Sequence, residues 1–228
     1  MRSISVVINA RLQSTRVPKK LIRPFSRSCL IEIALEKLNK MDFFDHRYLG
    51  VADHELKELA KRYENVEVLH RKLDSVKSGV NPPNVSFAHY LDIPSDYIFI
   101  FNPCQPVLSI DAIKKAYDYF QETNYSSYTS AMETRDWIFD DEGNALTNKD
   151  TSNYSTNKGR VFYKAAHSFH IVGKEFFQEH GYHWTFTKND PHLITVPESE
   201  TVDVDTELDF KLAELYYDYI YKSKNPLA

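Results

Sequence analysis

Long hydrophobic runs are absent from this 228-residue sequence. No apolar stretch approaches the roughly 18 residues that a membrane-spanning helix requires. The apolar opening at residues 4–8 is soon followed by Arg11, so it is too short for a secretory signal peptide. We therefore expect a soluble, cytoplasmic protein that does not bind a membrane.

Cysteine is also scarce, since the chain contains only Cys29 and Cys104. Two cysteines so far apart do not form the disulfide framework of a small secreted domain. A reducing compartment keeps both as thiols. We expect each to be a small core side chain rather than a reactive thiol.

Acidic residues are missing from the first 31 positions, although the whole chain contains 32 of them and has a net charge of −4. A negative overall charge is unsuited to a nucleic-acid backbone, so no nucleic-acid partner is expected. The concentration of positive charge at the N-terminal end either keeps the surface soluble or forms an anion site. The basic residues of this stretch are Arg2, Arg11, Arg16, Lys19, Lys20, Arg23 and Arg27.

Short β-branched and aromatic runs alternate with amphipathic segments along the first half of the chain. We predict strands at residues 5–9, 47–52, 66–70 and 96–102, and helices at residues 30–41, 54–63, 85–91 and 110–122. This alternation is typical of βαβ units, and 42% hydrophobic residues suffice for one core. The predicted fold is a single α/β domain, a three-layer α/β/α sandwich with a mainly parallel, Rossmann-like sheet.

The second half of the chain is less regular. Strands are predicted at residues 126–133 and 166–172, but residues 140–158 between them are rich in Asn, Asp, Thr and Ser. We interpret residues 125–172 as a small inserted arm. A final helix is predicted at residues 206–222. Its shared apolar face consists of Leu208, Leu212, Leu215 and Tyr216.

The loop predicted to follow the first strand, residues 10–21, has the sequence ARLQSTRVPKKL. Its two arginines, two lysines, two hydroxyl groups and exposed backbone amides suit the oxygens of a triphosphate. It lacks the glycines of a Walker loop. The loop resembles the R-x-G-S-x-R-x-P-x-K-x-L signature of nucleotidyltransferases for 3-deoxy-manno-octulosonate and of spore-coat polysaccharide enzymes. Gln13 replaces the glycine of that signature, which leaves open whether the backbone here needs a positive φ or a close approach to phosphate.

Near the C-terminus, residues 202–214 read VDVDTELDFKLAE. This segment resembles I-D-I-D-T-x-x-D-F-x-x-A-E of the acylneuraminate cytidylyltransferases. Asp203 and Asp205 point to the same side of an extended segment, and such paired carboxylates suit a Mg²⁺ ion that bridges triphosphate oxygens. The alternative is that Asp205 or Thr206 caps the final helix while Asp209 favours its first turn.

A third resemblance lies at residues 101–108, FNPCQPVL, which are similar to the L-Q-P-T-S-P-L-R turn of the same family. The resemblance implies that Asn102 faces the nucleotide base, since a carboxamide both donates and accepts hydrogen bonds. Arg71 stands where the family has an arginine near the base, whereas Leu108 replaces an arginine of the turn. An ordinary turn explains the prolines equally well.

The segment expected at the sugar site departs most from the family. Residues 163–171, YKAAHSFHI, align loosely with its Y-x-x-N-G-A-I-Y-I strand, but Ala166 and His167 replace the Asn-Gly pair. His167 and His170 are three residues apart on a strand, so we expect them to face opposite sides and not to form a metal pair. Structural or surface roles are expected for His180, His183 and His192.

Taken together, these motifs resemble the cytidylyltransferases that activate sugar acids. The resemblance implies transfer of CMP from CTP to the anomeric hydroxyl of a 2-keto-3-deoxy, sialic-acid-like sugar acid for a surface polysaccharide, with release of pyrophosphate. It also implies Mg²⁺ as the cofactor and a homodimer as the assembly. The alternatives are transfer to a different sugar or sugar phosphate, and a non-catalytic nucleotide-binding relative that acts as an interaction subunit.

The resemblance also assigns roles to individual residues. The catalytic residues are expected to be Arg11, Lys20 and Asp205. The nucleotide is expected to be bound by Ala10, Arg11, Ser14, Arg16, Lys20, Arg71 and Asn102. The metal ligands are expected to be Asp203 and Asp205.

Overall fold

The computed structural model describes residues 1–76, 81–147 and 155–223, without the side chains of residues 158, 222 and 223. Its strands are β1 Ile4–Asn9, β2 Pro24–Phe25, β3 Ser28–Cys29, β4 Arg47–Val51, β5 Glu67–His70, β6 Tyr97–Phe101, β7 Ser127–Thr134, β8 Phe162–Gly173 and β9 His192–Thr195. Its α-helices are α1 Leu30–Lys40, α2 His54–Ala60, α3 Pro83–Ser86, α4 Ile110–Glu122, α5 Lys174–His180 and α6 Glu207–Ser223. Short 3₁₀ helices lie at Leu73–Val76, Ala88–Asp92, Thr156–Lys158 and Glu198–Glu200.

Seven of these strands form one central sheet in the order β5-β4-β1-β6-β8-β7-β9. Neighbouring strands are parallel except at β8, which runs antiparallel to both β6 and β7. In the middle of the sheet, Ile8 of β1 pairs with Leu49 of β4 on one side and with Phe101 of β6 on the other. The predicted mainly parallel sheet is confirmed.

Both faces of the sheet are buried, which explains why the central strands are continuously apolar. Val6, Ile8 and Phe99 belong to a large core that also contains residues of α1, α2, α4 and α6. Val7 and Ile98, which alternate with them, pack in a smaller core with side chains of α5 and of the 3₁₀ helix after α3. The three predicted layers are therefore present.

Two predicted elements differ from the structure. The predicted helix at residues 85–91 is instead α3 followed by a 3₁₀ helix. The predicted arm at residues 125–172 begins and ends with β7 and β8, which are strands of the central sheet. Only the connection at residues 135–161 lies between them; Phe139 and Ala145 form an isolated bridge there, and residues 148–154 lie outside the described residues.

The leucines of the C-terminal helix do share a face, but that face is exposed. Leu208, Leu212 and Leu215 are 53–68% exposed. The side of α6 that contacts the core carries Phe210 and Ala213. Spacing alone identified a stripe of apolar residues and not the side on which α6 packs.

The two cysteines are buried free thiols, as predicted. Burial raises the pKa of both, that of Cys104 to about 11, so neither is a reactive thiolate near neutral pH. Among the helices that the structure describes, none has the length and apolar character needed to cross a bilayer.

Candidate active site

Three segments that are remote in the sequence converge beyond the carboxyl ends of β1 and β6. The loop at residues 10–21 leaves β1, and the turn at residues 102–108 leaves β6. Residues 202–205 run beside that turn, because the amide of Val204 donates to the carbonyl of Cys104 at 3.0 Å. The carboxyl end of a parallel sheet is where ligands of such folds bind.

The basic loop contacts the paired carboxylates directly. The guanidinium of Arg16 donates to Oδ1 of Asp205 at 2.7 Å. Nζ of Lys20 lies 2.7 Å from the carbonyl oxygen of Val204 and 3.5 Å from the same Asp205 oxygen. The Arg16 side chain is 63% exposed, so this ion pair contributes little stability and exchanges readily for another anion. The two motifs predicted to bind triphosphate and metal are thus brought together.

Asp203 completes the acidic pair. Val204 is fully buried, so the carboxylates on either side of it share the opposite side of the segment. Burial raises the pKa of Asp203, and the neighbouring charge of Asp205 raises it further, while Lys20 acts in the other direction. Within the described ranges no group of three or more His, Cys, Asp or Glu side chains is placed to hold a metal ion. Two carboxylates are nevertheless enough for Mg²⁺, which takes its other ligands from phosphates and water.

The cap of α6 consists of a different pair of residues. The amide of Thr206 donates to Oδ2 of Asp209 at 2.8 Å, and the amide of Asp209 donates to Oγ1 of Thr206 at 3.2 Å. This reciprocal pair is a capping box. Of the two capping candidates in the sequence, Thr206 has this role, and the Asp205 carboxylate is directed to Arg16 and Lys20.

Asn102 lies at the carboxylate end of the site. Its Nδ2 donates to the carbonyl oxygen of His167 at 2.9 Å and lies 3.4 Å from Oδ1 of Asp203. Its Oδ1 accepts from the amide of Cys104 at 2.9 Å, which forms an Asx turn. The amide therefore fastens the turn to β8 and to the acidic pair.

Arg71 lies at the other end, three strands away. The order β5-β4-β1-β6 separates the ends of β5 and β6 by about 14 Å, so Arg71 and Asn102 are not adjacent. The Arg71 guanidinium is partly buried and donates to the carbonyl oxygens of Ser75 at 3.2 Å and Ser86 at 3.0 Å. Arg11 lies on this side too, where its guanidinium donates to the carbonyl of Val76 at 3.2 Å. The predicted site residues thus form two groups, one around Arg71 and one around Asp205.

The first loop does not require glycine at Gln13. In the described ranges the non-glycine residues with positive φ are Lys19, Ser26, His167, Phe186 and Asn189. Gln13 is exposed and has an ordinary φ. Ala10 is buried, with its amide bonded to the carbonyl of Gly50 at 3.0 Å, and Ser14 is half-buried. The departure at Gln13 is compatible with the backbone of the loop.

The backbone of β8 is irregular around His167. Thr129 and Ala131 of β7 pair with His170 and Ala165 of β8, so β8 carries extra residues in a bulge between them. Within this bulge His167 has a φ of 53°, the left-handed conformation that glycine adopts most readily. The predicted opposite orientation of His167 and His170 is wrong, because the bulge breaks the alternation and brings their rings to 5.6 Å between centroids.

The turn after β6 is supported from α1. Leu108, which replaces an arginine of the family motif, is fully buried. Nζ of Lys37 donates to the carbonyl oxygens of Pro106 and Leu108. Burial lowers the pKa of Lys37 to about 7. A lysine from a helix, rather than an arginine of the turn itself, therefore anchors this segment.

A family model described as Cytidylyltransferase matches residues 5–222. The chain belongs to the cytidylyltransferase family. The protein is therefore a nucleotidyltransferase that transfers CMP from CTP. A search of curated protein sequences finds no match.

Solved structures share the fold of this cytidylyltransferase at low sequence identity. One is a CMP:2-keto-3-deoxy-manno-octonic acid synthetase complexed with CTP, with a TM-score of 0.69 and 8% identity over 96% of this chain and 99% of that one. A 4-diphosphocytidyl-2C-methyl-D-erythritol synthase from Anaerococcus prevotii has a TM-score of 0.64 and 14% identity over 94% and 96% of the two chains. A cytidylyltransferase from Leptospira borgpetersenii has a TM-score of 0.58 and 15% identity over 99% and 96%.

The cytidylyltransferase also contains a buried polar group that the sequence analysis did not single out. Asn9, the last residue of β1, donates from Nδ2 to the hydroxyl of Tyr90 at 2.6 Å, and its Oδ1 lies 2.7 Å from Nε2 of His89. A Cβ at Gly50 would lie 3.0 Å from His89 Nε2, so glycine allows this close approach. Burial, and then the positive charge of Arg71, lower the pKa of His89 to about 3. The signal in the sequence is a polar residue that ends an otherwise apolar strand.

Acid should destabilise the cytidylyltransferase through this histidine. Its folded pKa lies below the value of about 6.5 for an unfolded histidine, so between pH 6.5 and pH 3 the unfolded chain binds the extra proton. Stability attributable to His89 is therefore present above pH 6.5 and is lost as the pH falls. From pH 7 to pH 5 the expected loss is about 2 kcal/mol.

We expect His89→Gln, which keeps a donor for Asn9 but does not titrate, to remove this part of the pH dependence. Urea unfolding at pH 5, 6 and 7 measures it. His54→Gln is the control, because the His54 side chain is 87% exposed on α2. An unchanged pH dependence in His89→Gln would show that the pKa of His89 is the same in the folded and unfolded states.

Proposed function

We propose that this cytidylyltransferase transfers CMP to the anomeric hydroxyl of a 2-keto-3-deoxy sugar acid of the sialic-acid class, releasing pyrophosphate, in the synthesis of a surface polysaccharide. The observation that carries the proposal is the contact of Arg16 and Lys20 with Asp205. It joins the loop and the acidic segment, the two motifs that most resemble the sugar-acid enzymes, at one place.

The nucleotide spans the two groups of site residues in this proposal. Arg16 and Lys20 turn from Asp205 to the phosphates, since the exposed Arg16 contact is weak and Lys20 remains held by the Val204 carbonyl. Arg11 binds phosphate from the side of Arg71, and Ser14 supplies a hydroxyl donor. Ala10, whose amide is bonded to the Gly50 carbonyl, offers its own carbonyl oxygen to the nucleotide as an acceptor. The base lies toward Arg71, and Asn102 is nearer to the reacting end.

The paired carboxylates fit a magnesium site. Asp203 and Asp205 would hold Mg²⁺. The pKa of Asp203 is raised first by burial and then by the charge of Asp205, and a cation bound beside the pair would favour the ionised form. When bound, Mg²⁺ supplies charge neutralisation and orientation of the triphosphate oxygens. The acceptor hydroxyl gives its proton to water and attacks the α-phosphorus in line, the bond from the α-phosphorus to the bridging oxygen of the β-phosphate breaks, and pyrophosphate leaves. Positioning by Arg11, Arg16 and Lys20 lowers the barrier.

A sugar or polyol phosphate is the second candidate acceptor. The structural likeness to a 4-diphosphocytidyl-2C-methyl-D-erythritol synthase, at a TM-score of 0.64, favours it. Pyrophosphate release decides between the candidates when CTP, UTP, ATP and GTP are each supplied with two acceptor panels. One panel contains sialic, legionaminic, pseudaminic and octulosonic acids, and the other contains sugar and polyol phosphates. Turnover only with CTP and an acid supports the proposal, and turnover only with a phosphate overturns it.

A homodimer is part of the proposal, with the connection between β7 and β8 of one subunit near the acceptor site of the other. This connection and its flank expose large apolar side chains, since Phe139 is 57%, Leu146 51% and Tyr163 49% exposed. Light scattering should give about twice the chain mass of 26.6 kDa. An active monomer at micromolar concentration would reject the dimer.

Two variants locate the interface. Phe139→Asp together with Leu146→Asp should give a monomer, because a charge in an apolar interface is costly. Leu208→Asp together with Leu212→Asp places the same charges on the exposed face of α6 and should leave the dimer intact. The reverse result would assign the interface to α6.

A further inference from the structure

The bulge in β8 presents an imidazole to the acidic pair in a conformation that most residues avoid. His167 has a φ of 53°, and its side chain is exposed. Its carbonyl accepts from Nδ2 of Asn102, the amide that also lies 3.4 Å from Oδ1 of Asp203. Among the smaller influences on the pKa of Asp203, that of the His167 imidazole acts to lower it. Strained residues of this kind cluster at functional sites because the surrounding structure holds them there.

His167 is also the first member of an aromatic row that leads away from the acidic pair. Its ring lies 5.6 Å from that of His170, which is 5.0 Å from Trp184, which in turn is 5.8 Å from Phe186. His170 is fixed by a 2.8 Å hydrogen bond between its Nδ1 and the hydroxyl of Thr129. Phe186 ends the row with a φ of 61° and a side chain that is 83% exposed.

The far end of the row is held rigidly on the sheet. Asp190 is buried and accepts from the amide of Thr185 at 2.7 Å and from the hydroxyl of Ser126 at 3.2 Å. Ser127 at the start of β7 donates to the same carboxylate. The segment that carries Trp184 and Phe186 is therefore fastened to β7, and the exposure of Phe186 is not a consequence of a loose loop.

We propose that His167 is a specificity-determining contact for the acceptor, and that His170, Trp184 and Phe186 continue it as an aromatic wall. The inference rests on the proposed function, which places the acceptor beside the acidic pair. The imidazole carries at least one N–H, which donates to an oxygen of the acceptor. The wall then packs against the apolar face of a sugar-like molecule, which carries C–H groups on one side and hydroxyls on the other.

Replacing His167 with Gly separates this role from a structural one. Glycine adopts a φ of 53° more readily than histidine, so the fold should become no less stable. With Mg²⁺ and saturating CTP, the KM for the acceptor that the parent uses best should rise 10- to 100-fold. The Kd for CTP measured by calorimetry should stay within twofold of the parent value.

Four further variants complete the test. His167→Asn should restore part of the acceptor KM, because asparagine tolerates the left-handed region and its amide donates. Phe186→Ala should raise the acceptor KM 3- to 10-fold, whereas Leu208→Ala, also an exposed apolar residue, should not. Ser26→Gly relieves similar backbone strain, at a φ of 56° in the turn between β2 and β3. This variant should leave the acceptor KM unchanged.

The outcomes distinguish this inference from the proposed function. If the parent turns over an acid and the acceptor KM of His167→Gly is unchanged, only the proposed role of His167 is wrong. If the parent uses only a phosphate acceptor, the proposed substrate class is wrong, and a raised KM for that phosphate in His167→Gly still supports the contact. If the parent binds CTP but uses no acceptor from either panel, both the proposed function and the role of His167 are wrong.

Discussion

Replacing Asp205 with Asn should lower turnover by about a hundredfold or more, the scale of losing one preorganised electrostatic contact in an active site. The same change should weaken CTP binding when Mg²⁺ is present, because one of two carboxylate ligands is lost. In a chelator the effect should reverse, since the Asp205 carboxylate then only repels the nucleotide and occupies Arg16 and Lys20. Calorimetric titration with CTP in both buffers measures the change of sign.

Asp209→Asn is the matched control for this experiment. Asp209 accepts from the amide of Thr206 in the capping box of α6, so its replacement should lower thermal stability equally with and without Mg²⁺. Asp205 contacts the Asp209 carboxylate only through its backbone amide, which Asp205→Asn keeps, so this variant should change stability less. If Asp203→Asn and Asp205→Asn both lose stability but show no magnesium-dependent change in CTP affinity, the metal assignment is wrong.

Replacing Lys20 with Ala should weaken CTP binding by about 1.5 to 3 kcal/mol, the scale of a hydrogen bond to a charged group. This corresponds to a rise in Kd of roughly 10- to 150-fold. The reason is geometric, because the Lys20 side chain is only 16% exposed and its ammonium is held between the Val204 carbonyl and Asp205. Arg16→Ala should lower affinity by a similar amount, although Arg16 is far more exposed.

Calorimetric titration with CTP and Mg²⁺ measures both effects, and circular dichroism at the same temperature establishes that each variant is folded. Lys40→Ala is the control, since Lys40 is an exposed lysine at the end of α1 and its loss changes the net charge equally. Unchanged affinity in both Lys20→Ala and Arg16→Ala would remove the loop from the nucleotide site.

The fold follows closely from local patterns in the sequence. The runs at residues 5–9 and 96–102 are apolar on both alternating sides, and each becomes a strand buried on both faces. The helix predicted at residues 110–122 has those bounds, with Ser109 capping it. Local periodicity is reliable here because each segment must bury its own apolar stripe.

Local patterns in the sequence do not predict the edge strand β9 or the bulge in β8. β9 pairs with β7 at the edge of the sheet, and its four residues, His192–Thr195, contain only two apolar side chains, too few to mark a strand by themselves. The bulge at His167 is equally hidden, because an extra residue in a strand alters side-chain direction without altering composition. For the same reason, the sequence does not reveal that Trp184 and Phe186 lie in one row with His167.

The sequence by itself determined the α/β class, the two buried thiols and the position and charge of the two charged motifs, because side-chain type and local spacing carry that information. Only the tertiary structure decided which groups meet. Arg16 and Asp205 are 189 positions apart in the chain and 2.7 Å apart in space. Their contact depends on β1, β6 and the segment before α6 ending at one edge of the sheet. The tertiary structure also decided that Thr206 rather than Asp205 caps α6, and that the exposed leucines of α6 face away from the core. Such choices depend on packing between distant segments, which no local pattern encodes.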